Sequence, residues 1–123
     1  MSFRTETKTY IPEGVCYELW AKKRISLYKI PYVLRDEYNI ISERTGGLIT
    51  PPAAERSAWM YALEHLQEAK NDTVSIMQSS GQIFDEEAWN REVLSKAQRF
   101  YSKKKYRLFL LKYPHLRKYT EQT

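Results

Sequence analysis

Apolar side chains recur at three- and four-residue steps along most of this 123-residue chain, the spacing that gathers them on one face of a helix. Val15, Cys16, Leu19, Trp20, Leu27 and Tyr28 form one stripe, and Val33, Leu34, Tyr38 and Ile41 a second. Trp59, Ala62, Leu63, Leu66, Ala69, Thr73 and Met77 form a third, and Trp89, Val93, Ala97 and Phe100 a fourth. One helix cannot hide its own apolar face, so each stripe needs a neighbour. The pattern predicts an all-α fold, a small bundle of about four helices over residues 13–30, 32–44, 51–78 and 85–113.

Local chemistry sets the boundaries. Pro31 lacks an amide donor and favours the first turn of a helix, so it either kinks one long helix or, the favoured reading, divides a first helix from a second. The glycines of "RTGG" can take the left-handed conformation that closes a helix, which predicts an end near Arg44. Thr50 followed by Pro51 is a capping residue before a first-turn proline, and Asp85 before Glu86 and Glu87 is another cap with acids at the positive end of the dipole. "KND" is the weak point of the third helix. "YRLFLLKY" extends the helical reading of the fourth to Tyr113, where Pro114 stops it, and "SKKK" leaves its continuity open. Residues 1–11 alternate β-formers with charged residues, as an edge strand or a frayed arm would. The third and fourth stripes are expected to face each other, burying Trp59 and Trp89.

The length fits one domain, 1–123. Cys16 is the lone cysteine, which excludes an internal disulfide and predicts a core position in a reducing compartment, the cytoplasm. The N-terminus has no apolar segment of a signal peptide, and no run approaches the roughly 18 apolar residues that span a bilayer.

Catalytic chemistry finds no constellation. Cys16 stands between Val15 and Tyr17 with no local base. His65, His115 and Cys16 fall short of the four ligands of a structural zinc site, and Asp85, Glu86 and Glu87 suit a helix N-terminus. "RTGGLIT" lacks the spacing of a phosphate-binding loop. The expectation is a protein that is not an enzyme and uses neither cofactor nor metal.

Charge is the informative feature. Nine of the 20 basic side chains lie within residues 93–120, with no acid among them, although the whole chain carries only +5. They are Lys96, Arg99, Lys103, Lys104, Lys105, Arg107, Lys112, Arg117 and Lys118, interleaved with Tyr101, Tyr106 and Tyr113. Lysine and arginine neutralise phosphates and aromatic rings stack on unpaired bases, so these twelve residues are the expected nucleic-acid-binding set. In a continuous helix Lys96, Arg99, Lys103 and Arg107 form one basic stripe, while Phe100, Leu108, Phe109 and Leu111 turn inward. The alternative is an adaptor or inhibitor whose tyrosines and arginines meet an acidic protein surface, including a second copy of the chain. A membrane-surface helix fits the pattern less well, since the segment is short and has no tryptophan anchor. No helix-turn-helix, RNP, KH or zinc-finger signature is present. In size and tyrosine–lysine content the chain resembles small accessory proteins of phages and mobile elements, a resemblance that rests on no motif and implies no functional residue.

Overall fold

Arg24, Asn39, His65 and Tyr101 each end or interrupt a helical run, and none of them is glycine or proline. In a computed structural model that describes residues 7–122, Arg24 and Asn39 take left-handed backbone angles with φ of 60°, and His65 and Tyr101 leave helical angles altogether. The described residues are mostly helical and contain no strand. The chain divides into two compact units, Met1–Glu64 and His65–Thr123.

The first unit opens with α1, Val15–Tyr17, which passes directly into a π-helical turn, Glu18–Lys22, closed by Lys23 N–H donating to Glu18 O at 2.9 Å. The helix expected over 13–30 is therefore much shorter, since Arg24 turns the backbone out of it. α2, Ile30–Tyr38, carries Pro31 in its first turn. It ends at Asn39 and not near Arg44, because asparagine tolerates the left-handed region almost as glycine does and lets Ile40 N–H donate back to Leu34 O at 2.9 Å. Gly46, with φ of 71°, serves the turn that follows. Of the N-terminal arm, residues 1–6 lie outside the described residues, while Lys8 makes an isolated parallel bridge to Ile40.

α3, Pro51–Glu64, starts where Ala53 N–H donates to Thr50 Oγ1 at 3.3 Å. Ala54, Ala58 and Ala62 recur one turn apart and are buried, so α1 and α2 can approach the α3 backbone closely. Trp59 then meets Trp20 at 5.7 Å between ring centroids, and Tyr61 meets Tyr17 at 4.8 Å. The α3 stripe finds its cover within this unit, among Cys16, Leu19, Ile30 and Leu34. Burial pushes the Cys16 thiol up, against a smaller opposing effect of its hydrogen bond with Ser57.

In the second unit α4, Leu66–Ser79, follows the break at His65, so the helix expected over 51–78 is two. "KND" runs through as helix. α5, Glu86–Phe100, begins at Asp85, whose carboxylate accepts from Ala88 N–H at 3.1 Å. Phe84 just before the cap packs on Trp89 at 6.4 Å, a hydrophobic staple across the helix start. In that role Trp89 is half-buried, less than the large burial expected for a ring facing the third stripe. The helix expected over 85–113 is interrupted: Tyr101 is extended with ψ of 151°, and Ser102 caps a new helix by accepting from Lys105 N–H at 3.2 Å. This is α6, Lys103–Lys112, followed by a 3-10 helix, Pro114–Gln122. Val93, Leu94, Ala97, Phe109, Leu116 and Tyr119 form the core where α5, α6 and the 3-10 helix meet.

Candidate nucleic-acid interface

α6 buries a narrow side. At about 100° per residue, Tyr106, Phe109 and Leu110 share one flank of the helix, and these are its buried or half-buried residues. The opposite flank carries Lys103, Lys104, Lys105, Arg107, Lys112, Leu108 and Leu111, all exposed. The capped break at Ser102 permits this orientation, since it frees α6 from the register of α5.

Arg117 and Lys118 are exposed on the 3-10 helix, and Arg99 is exposed in the last turn of α5, while Lys96 is half-buried. The predicted stripe of Lys96, Arg99, Lys103 and Arg107 requires one unbroken helix. The break places the first two on α5 and the last two on α6, so that stripe is not formed as expected. Among the described residues no ion pair engages Lys103, Lys104 or Arg107, and their charges face solvent.

The tyrosines occupy a different environment. Tyr101 packs edge-on to Phe109 at 5.7 Å, and Phe109 meets Tyr113 at 5.0 Å. Lys105 Nζ lies 4.6 Å from the Tyr101 ring centre and Lys112 Nζ 5.5 Å from that of Tyr113. Tyr106 is half-buried, and desolvation raises the pKa of its hydroxyl. Tyr119 is buried beneath Arg91 and Lys118. The rings of Tyr101, Tyr113 and Tyr119 thus pack within the unit and support cations.

Leu108 and Leu111 do not turn inward. They are 56% and 63% exposed, in the middle of the cationic flank. The inward expectation follows from continuing the α5 stripe through "SKKK". The sequence signal against it is Ser102, a capping residue whose helix starts a new register.

Each unit also has a cleft. One of about 700 Å³ in the first unit is walled by Tyr61 and Met60 and edged by both signs of charge, Glu13, Glu43, Arg44 and Arg56. Gly14 lines it with φ of 86°, and a Cβ there would approach Tyr61 to 3.1 Å. A cleft of about 360 Å³ in the second unit lies between Trp89, Asn90 and Tyr113, with Lys70 Nζ donating to Glu86 Oε1 at 2.7 Å on its wall. That hydrogen bond, with the charge of Lys70 and smaller effects of His115 and Lys118, holds the Glu86 carboxyl below the usual glutamate range. No helix among the described residues is long and apolar enough to cross a membrane.

No known protein family, curated protein or solved structure matches the chain. The α6 surface itself therefore carries the functional reading.

Proposed function

We propose that this protein is a non-enzymatic nucleic-acid-binding protein that engages the phosphate backbone through its C-terminal cations, in a regulatory or replication-related role inside the cytoplasm. The observation that carries the reading is the α6 flank, where Lys103, Lys104, Lys105, Arg107 and Lys112 are exposed side by side and no carboxylate side chain lies within residues 93–120. Arg117 and Lys118 extend the cationic set onto the 3-10 helix. Such a density of like charge is destabilising to the free protein and is relieved when an anion takes the place of bulk counterions.

Titration of fluorescent oligonucleotides by anisotropy, repeated over a salt series, tests the proposal. Lys103→Gln, Lys104→Gln and Arg107→Gln together should weaken binding and reduce the slope of log affinity against log salt by up to about three. The melting temperature should stay near that of the parent, because all three side chains are exposed. Affinity and slope that persist in the triple variant would reject the site.

A second reading is favoured by Leu108 and Leu111, since an acidic protein surface with an apolar ridge, a second copy of this chain included, complements the same flank. Sedimentation of the chain alone separates self-association from the nucleic-acid reading.

A further inference from the structure

The exposed flank of α6 has an order that phosphate contact alone leaves unexplained. Projected at about 100° per residue, Lys103 and Arg107 lie along one edge of the flank and Lys105 and Lys112 along the other. Leu108, Leu111 and Lys104 form the ridge between them. The ridge is exposed and apolar for two of its three residues, on a helix whose remaining side is already committed to Phe109, Tyr106 and Leu110.

An apolar ridge between two rows of cations matches a surface with two rows of anions and apolar groups between. The major groove of B-form DNA has that arrangement: phosphates along both rims, and on its floor the C5 methyl groups of thymine. The groove is about 12 Å wide and admits a helix, and the 10 residues of α6 give a rod of roughly 15 Å. Unpaired bases find less to recognise, because Tyr101 and Tyr113 are packed on Phe109. An RNA duplex offers a major groove too deep and narrow for side chains to enter.

Building on the nucleic-acid reading, we propose that α6 lies in the major groove of duplex DNA, with its two cation rows on the phosphates of opposite strands and Leu108 and Leu111 against thymine methyls. Lys104, on the ridge, faces the groove floor, where guanine N7 and O6 accept hydrogen bonds. The ligand class is thymine-containing B-form DNA, and the preference is set by methyl burial.

The test uses the full chain and anisotropy against four oligomers of equal length: a thymine-containing duplex, the same duplex with uracil for thymine, an RNA duplex and a single strand of thymidines. Uracil removes only the C5 methyl. The thymine duplex should bind most tightly, and uracil should weaken binding about fourfold for each methyl group that a leucine covers. Leu108→Ala with Leu111→Ala should bring the thymine duplex down to the uracil value while leaving the salt slope unchanged. A parent-like melting curve for that variant, expected because both side chains are exposed, establishes that it folds. Equal affinity for thymine and uracil duplexes, or discrimination that survives in the leucine variant, overturns groove insertion and leaves phosphate contact standing. Tighter binding to the single strand also overturns it. If none of the four oligomers binds near 50 mM salt, both proposals fall and the acidic protein partner takes their place.

Discussion

Trp59 and Trp89 both belong to helical apolar stripes, and the structure gives them different work. Trp59 is buried against Trp20 in the first unit, whereas Trp89 is half-buried and staples the start of α5 to Phe84. Trp59→Ala should cost about 3–5 kcal/mol, and Trp89→Ala distinctly less. Urea denaturation of both variants measures the order, and equal losses would return Trp89 to the core. Glu86 gives a second expectation at this scale. Its carboxyl is held low by Lys70, so the stabilisation is present above the unfolded glutamate value, near pH ~4.3, and is lost as pH falls through the depressed folded value. Carboxyl chemical shifts followed through an acid titration should show Glu86 titrating below the usual glutamate range. Lys70→Met should move it back up.

At the scale of elements, helix ends decide more than helix interiors. α6 exists as a separate helix because Ser102 satisfies Lys105 N–H and Tyr101 is extended. Ser102→Ala should destabilise the second unit by about 1 kcal/mol. The loss should appear first as faster amide hydrogen exchange in α6, with α3 unaffected. Uniform acceleration across the chain would show instead that the cap acts only through global unfolding. Helix ends also limited how far the candidate site was legible. The cations stand out by composition alone, and ten of the twelve predicted residues lie in or after the break at Tyr101. Their grouping was not legible, since a stripe through Lys96 and Arg99 presumes a helix that Ser102 restarts.

For the whole molecule, charge segregation predicts a response to ligand. A partner that binds only the folded state stabilises it by RT ln(1 + [L]/Kd), about 2.7 kcal/mol at a hundredfold excess over Kd. A duplex DNA ligand should therefore raise the melting temperature at low salt. The increment should shrink as salt rises and be small in the variant carrying glutamine at 103, 104 and 107. An equal increment in parent and variant would place the contact elsewhere.

The sequence by itself determined the helical class, the caps at Thr50 and Asp85, the start at Pro31, the stop at Pro114 and the separation of positive charge into the last quarter of the chain. These follow from interactions within about four residues, where a hydroxyl, a carboxylate or a missing amide acts on its own backbone. Tertiary structure decided where helices end without such a signal, at Arg24 and His65, and which side of α6 is buried. Whether a leucine is core or surface depends on the shape of its neighbours. Phe109, wedged between Tyr101 and Tyr113, takes the inward flank, and that choice leaves Leu108 and Leu111 among the lysines.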